Sequence, residues 1–229
     1  MIKILLTGAD GYIGNTFYQL YKNKYNILPI DKSKLINKDI VYCNLLNKRK
    51  ITRIFSNFKP DVTIHLAAQS LVNDRIPFKK YKINNIDATK NLINVMKKNN
   101  SDNIIFSSTA SVYASSDKLL NETSKMQPLS NYAKSKLKCE KIIKKSNLKN
   151  IIFRFFNACS AVKKCRVGEL HKPETHLIPK IVWQVEHNLP VKIYGNKYNT
   201  KDGTAIRDYI HIRDICNAIN SFVLEIYKK

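Results

Sequence analysis

The chain has 229 residues, with 40 Lys and Arg against 17 Asp and Glu, a formal charge of +23. Its 44% hydrophobic content supports a sizeable core, and no apolar run reaches the ~20 residues of a membrane span. The basic residues are spread over the whole sequence without an arginine cluster, which excludes a focused nucleic-acid footprint and leaves a positive surface that attracts anionic ligands.

Ile2 to Leu6 is a short apolar run and reads as a buried parallel strand. Glycines follow at Gly8, Gly11 and Gly14, three of the six in the chain. A helical segment then runs through about Leu20, with Ile13, Phe17 and Leu20 on one face. Strand, glycine turn and helix form the arrangement that takes a dinucleotide pyrophosphate on free N–H groups at the positive end of the helix. A second apolar run, Tyr25 to Ile30, ends in Asp31 about twenty residues on, where a carboxylate bonds the adenosine ribose. Asp31 favours NAD, while Lys32 and Lys34 keep NADP open as the lesser alternative.

Strands and helices continue to alternate, which predicts a Rossmann-like, doubly wound α/β fold with a parallel sheet. Asp39 to Cys43 reads as the third strand. Asn44 to Asn47 is expected to open a helix through Ile51, Ile54 and Phe55. Val62 to Ala68 is a buried strand whose small terminal residues leave room for a ligand. A helix from about Phe78 to Asn99 precedes the strand Ile104 to Ser108, which ends in the hydroxyl cluster Ser107, Ser108, Thr109 and Ser111. A helix from about Asn131 to Lys145 leads to a sixth strand, Ile151 to Phe156, ending at Asn157. Beyond that point the alternation becomes irregular, which predicts a cofactor domain over 1–160 and a partial substrate region over 161–229. The last helix, about Arg213 to Tyr227, is expected to pack an apolar face back on the first domain.

Tyr132 and Lys136 stand four apart on the predicted helix and share a face. A nearby ammonium favours phenolate and brings the phenol toward neutrality, so Tyr132 can serve as general base on a sugar hydroxyl. Lys136 would also hold the nicotinamide ribose. Thr109 is the candidate hydroxyl that bonds the reacting sugar oxygen, with Ser107 and Ser108 as strand-end, cofactor-side hydroxyls.

The segments Thr7-Gly-Ala-Asp-Gly-Tyr-Ile-Gly14, His65-Leu-Ala-Ala68, Phe106-Ser-Ser-Thr-Ala-Ser-Val-Tyr113 and Tyr132-Ala-Lys-Ser-Lys136 resemble the extended short-chain dehydrogenase/reductase family. Pro173-Glu-Thr-His-Leu-Ile-Pro179 and Tyr194 to His211 are similar to its UDP-glucose 4-epimerase group in particular. The resemblance implies that Gly8, Gly11, Tyr12, Ile13 and Gly14 hold the NAD pyrophosphate and that Asp31 and Lys32 hold the adenosine ribose. It implies Asn44 and Leu45 beside adenine, with Asn44 replacing the family's acid. Leu66, Ala67, Ala68, Ser70, Asn85, Ser107 and Phe156 would complete the cofactor shell, and Ser70 stands where several epimerases have Lys. Asn157, His176, Leu177, Ile193, Tyr194 and Arg207 would meet the UDP-hexose, together with Thr109 and Tyr132.

The implied activity is reversible C4 oxidation interconverting UDP-glucose and UDP-galactose, with NAD bound throughout. Sugar-nucleotide dehydratases place an Asp-Glu pair after the Thr, and Ala110 and Ser111 stand there instead. Family members continue past the point where this chain stops at Lys229. The expectation is therefore a C-terminally truncated epimerase, with two alternatives. One is a non-catalytic NAD- or sugar-nucleotide-binding remnant, and the other is a different NAD-dependent sugar-nucleotide epimerase. No metal is expected from His171 and His176, no signal peptide is seen, a homodimer stays open, and five scattered cysteines suit a reducing cytoplasm.

Overall fold

The computed structural model describes residues 1–33, 39–73, 75–116, 118–165, 167–169, 174, 176–193 and 195–228. The chain begins with β1 (Lys3–Thr7), α1 (Tyr12–Tyr21), β2 (Asn26–Asp31), β3 (Val41–Tyr42), α2 (Lys48–Phe58) and β4 (Val62–His65). A long helical stretch follows, made of α3 (Phe78–Tyr81), a π-helical turn (Lys82–Asp87) and α4 (Ala88–Lys98). Then come β5 (Asn103–Thr109), α5 (Asn131–Lys144), β6 (Lys149–Phe155), β7 (Asn157–Cys159), α6 (Leu177–Glu186), β8 (Tyr209–His211) and α7 (Ile212–Lys228).

Six strands form one parallel sheet in the order β3-β2-β1-β4-β5-β6. This is the doubly wound Rossmann order, with its switch point between β1 and β4. The alternation of side chains along each strand splits the core into two layers. Leu5, Ile104 and Phe106 pack with α2, α4 and α5 on one face. Ile4, Leu6, Val62, Ile64 and Ile105 pack with Phe17 of α1 and with Ile215, Ile219, Val223 and Ile226 of α7 on the other. The α7 stripe recurs at three- and four-residue spacing, so one helix face closes the sheet where α1 does not reach.

Several element boundaries differ from the sequence reading. The second helix begins at Lys48 because the Asn47 side chain caps it, accepting the Lys50 N–H at 3.0 Å. β3 is only two residues long and pairs only with Ile30 and Asp31. β4 ends at His65, and Leu66 to Ala68 leave the ladder to turn over the glycine loop. Gly8 makes that approach feasible: it has φ +74°, and a Cβ there would sit 2.5 Å from the Ala67 nitrogen. β6 ends at Phe155 rather than running into Asn157. Asn157 instead opens β7, which pairs with β8 in a separate two-stranded parallel sheet.

Candidate active site

The glycine turn, the ends of β2, β4 and β5, and the first turns of α5 enclose one cavity of about 390 Å³ at the switch point. Gly8, Gly11, Tyr12, Ile13 and Gly14 form its base, and Asp31, Lys32, Asn44 and Leu45 form one end. Leu66, Ala67, Ala68 and Ser70 line a side, and Ser107, Thr109, Tyr132, Lys136, Phe156, Asn157 and His176 line the opposite end. Residues far apart in the chain thus meet because every parallel strand delivers its C-terminal end to the same edge of the sheet.

The close approach at the base is steric. A Cβ on Gly14 would fall 2.1 Å from the Gly8 carbonyl oxygen, so only glycine lets α1 start there. The Asp31 carboxylate accepts the Asp10 N–H at 3.1 Å and the Ser33 N–H at 3.1 Å. Burial raises its pKa, while these backbone donors lower it. Lys32 donates to the Asn84 side chain at 2.8 Å. Asn44 accepts the Leu46 N–H at 3.0 Å, which fixes the turn beside Leu45. Tyr12 donates its hydroxyl to the Ser160 carbonyl and ties the base to the loop after β7.

At the other end, Thr109 is buried and its Oγ1 accepts the Ser111 N–H at 3.2 Å, leaving the hydroxyl proton to be donated elsewhere. Tyr132 and Lys136 lie one turn apart on α5, and Lys136 is only 2% exposed. Its ammonium stands 4.5 Å from the Phe106 ring centroid. Burial pulls Lys136 down to about 8, against the neighbouring Cys139 and Glu140, which favour its charge.

The expectation of an acidified phenol is corrected here. Tyr132 is pushed upward, first by burial and then by its neighbours Cys139 and Tyr81. Desolvation of the phenolate is the largest cause, and the Lys136 ammonium is engaged with the Phe106 ring. In the protein alone, Tyr132 keeps its proton.

Five further residues are placed differently from the sequence reading. Asn85 lies behind the cavity wall, 2% exposed, where its amide accepts the Gln69 N–H at 2.7 Å and donates to Ser135 at 2.8 Å. The π-helical turn shifts the facing by one position and puts Asn84 in the wall instead. Ser108 points away from the cavity and donates to Glu140, because strand alternation sends only Ser107 and Thr109 inward. Leu177, Ile193 and Arg207 are exposed and stand outside the wall, and Arg207 donates to the Ile206 carbonyl at 2.7 Å. Asn157 is in the wall, with its amide donating to the Asp208 carbonyl at 2.8 Å. Tyr194, Lys34 and His171 lie outside the described residues.

The sequence reading missed Glu169, which lines the cavity with its carboxylate 3.1 Å from His176 Nδ1. A lone glutamate in an irregular stretch carries no local signal. Asn84, beside Asn85, was also missed as a wall residue, and Ser111 was noted in the hydroxyl cluster without a role in the site. Among the described residues no group of three or more His, Cys, Asp or Glu is placed to hold a metal, and no helix is long and apolar enough to cross a membrane.

Residues 4–227 match the NAD dependent epimerase/dehydratase family. The chain belongs to that family. It is similar to the UDP-glucose 4-epimerase of Halalkalibacterium halodurans, 34% identical over 233 residues that cover 95% of this chain and 69% of the relative. In structure it is similar to the Brucella ovis UDP-glucose 4-epimerase solved with NAD, with a TM-score of 0.88 at 29% identity, over 95% of this chain and 71% of that one. The Bifidobacterium longum UDP-glucose 4-epimerase, solved with NAD+ and UDP, gives a TM-score of 0.87 at 26% identity, over 96% of this chain and 73% of that one. The family match spans both the sheet and the β7–β8 and α7 segments, so the cavity is built throughout from family-matched chain.

Proposed function

We propose that the chain is an NAD-dependent sugar-nucleotide 4-epimerase that interconverts UDP-glucose and UDP-galactose. The observation that carries the reading is the gathering of the glycine turn, Asp31, Thr109, Tyr132 and Lys136 into one cavity. The cavity suits a dinucleotide: its base is a glycine turn under a helix start, and its far end holds a carboxylate fixed by backbone donors. When bound, NAD supplies a hydride acceptor that returns the hydride, and its cationic ring favours the Tyr132 phenolate.

Gly8, Gly11 and Gly14 give the pyrophosphate close access to backbone N–H groups, and Asp31 binds the ribose hydroxyls. Thr109 donates its free hydroxyl proton to the sugar O4, and Tyr132 removes the O4 proton and later gives it back. Lys136 stays charged at neutral pH and stabilises the phenolate once it forms. The sugar turns about its diphosphate between the two half-reactions. On this reading residues 1–160 bind the cofactor and 161–229 serve the substrate, His176 meeting the substrate from the second region and Asn157 from the end of the first. The similarity to UDP-glucose 4-epimerases and to structures solved with NAD and UDP supports the assignment. The scattered cysteines, none of them in a disulfide, accord with a reducing cytoplasm.

A second reading, NAD binding without turnover, is favoured by the exposure of Leu177, Ile193 and Arg207 away from the wall. Purified protein given UDP-glucose without added cofactor separates the two. Formation of UDP-galactose supports the epimerase. Protein that holds NAD yet forms none supports the second reading. Tyr132→Phe is expected to lower turnover by about 10²–10⁴-fold while bound NAD persists.

A further inference from the structure

Behind the reactive face of α5 lies a buried ion pair that the chemistry above does not use. Arg154 of β6 grips Glu140 of α5 with two prongs, Nη2 to Oε2 at 2.8 Å and Nε to Oε1 at 3.1 Å. The Arg154 side chain is 11% exposed and that of Glu140 is 2% exposed. Ser108, the register partner of Arg154 across β5 and β6, donates its hydroxyl to the same carboxylate. The remaining donors of Arg154 reach the Tyr113 hydroxyl at 2.8 Å, the Glu122 carbonyl at 3.1 Å and the Met126 sulfur at 3.3 Å. One guanidinium therefore joins α5, β5, β6 and the segment that follows Thr109. Glu140 also continues a stripe: Tyr132, Lys136 and Glu140 are successive at four-residue spacing on α5.

We propose that Glu140 and Arg154 are positioning residues for the proposed epimerisation. Their ion pair sets the rotation of α5 so that Tyr132 and Lys136 face Ser107 and Thr109. The Glu140 carboxylate in turn keeps the Lys136 ammonium charged inside the fold. The inference rests on the functional reading above for its kinetic part only. A two-pronged contact fixes both position and angle, which a single lysine contact would not. Glu140 is the carboxylate one helical turn beyond Lys136 on the same stripe of α5. His65 on β4 is held neutral, Tyr132 keeps its proton, and burial raises the Cys139 thiol. Removing the Glu140 charge therefore takes away a nearby negative charge that favours the buried ammonium.

The test is Glu140→Gln, which preserves shape, alongside Arg154→Lys, which preserves charge. Lysine NMR titration of the NAD-free protein follows Lys136 without needing substrate. Glu140→Gln is expected to move the Lys136 midpoint down by about one pH unit. It should also move the basic limb of the kcat profile by the same amount, and lower kcat by about tenfold or more with KM little changed. Arg154→Lys should leave the Lys136 midpoint in place while lowering kcat severalfold. An unmoved Lys136 midpoint in Glu140→Gln overturns the proposal, as does full kcat in Arg154→Lys. If Glu140→Gln does not fold, Ser108→Ala removes one donor to the carboxylate, and an unchanged kcat in that variant also counts against it. A Lys136 shift in a protein whose wild type forms no UDP-galactose retains the electrostatic brace and discards the functional reading instead.

Discussion

Lowering the pH should destabilise this fold through one imidazole. His65 is 1% exposed on β4 beneath the cavity. Its Nδ1 lies 2.8 Å from Thr7 Oγ1 and its Nε2 lies 2.9 Å from Thr89 Oγ1. Thr89 gives its proton to the Cys139 sulfur at 3.6 Å, so Nε2 is assigned the ring proton and Nδ1 accepts from Thr7. Thr7 in turn accepts the Ala67 N–H at 3.3 Å. A second ring proton would meet a Thr7 oxygen already committed as donor. Burial and the Lys136 charge together hold His65 at about 3, against an ordinary value of 6.5. The unfolded ring takes a proton as pH falls below 6.5 while the folded ring stays neutral until about 3, so the unfolded state gains protons and stability falls with pH. Between pH 7 and pH 5 the loss from this one residue comes to about 2 kcal/mol. Urea unfolding of the wild type and His65→Gln at both pH values isolates the contribution, since the other titrating groups are common to both. The stability gap between them should narrow by about 2 kcal/mol on going to pH 5. A gap that is the same at both pH values refutes the argument. If the variant fails to fold, imidazole NMR of the wild type decides, because a ring that charges near pH 6 is incompatible with it.

Gly14→Ala would place a methyl 2.1 Å from the Gly8 carbonyl, backbone that cannot swing aside, so the turn must open. The expected result is loss of bound NAD together with a destabilisation of roughly 3 kcal/mol, read by bound-cofactor absorbance and urea unfolding. Ser160→Gly should act in the opposite direction. Ser160 is exposed and holds φ +77°, and its carbonyl, which accepts from Tyr12, is retained in the variant. Relief of left-handed strain predicts a gain of about 1 kcal/mol, seen as a rise in Tm; an unchanged or lower Tm would count against strain at that site.

Much of the architecture is legible because its signals are local. A glycine turn is set by backbone sterics, a buried strand by a run of Ile and Leu, and a helix face by three- and four-residue spacing. Each survives without knowledge of the rest of the chain. The Tyr132–Lys136 pair is of this kind, since four residues on a helix always return to one face. The hydroxyl cluster was legible as a cluster, but not in its sides: alternation shows that Ser108 opposes Ser107 and Thr109, while only the packing of α5 shows which side is the cavity. Asn85 was named by resemblance, and the π-helical turn that carries it puts Asn84 in the wall and Asn85 behind it.

From its residues alone, then, this protein was committed to a parallel βα alternation, a dinucleotide-type turn and a tyrosine one helical turn from a lysine. Tertiary structure decided the remaining matters: that Asn157 leaves the main sheet for β8, that Glu169 reaches the cavity, that Arg154 clasps Glu140, and that burial keeps the Tyr132 proton in place. All four depend on groups distant in sequence sharing one low-dielectric space, and neither desolvation nor a long-range contact leaves a mark on the few residues around it.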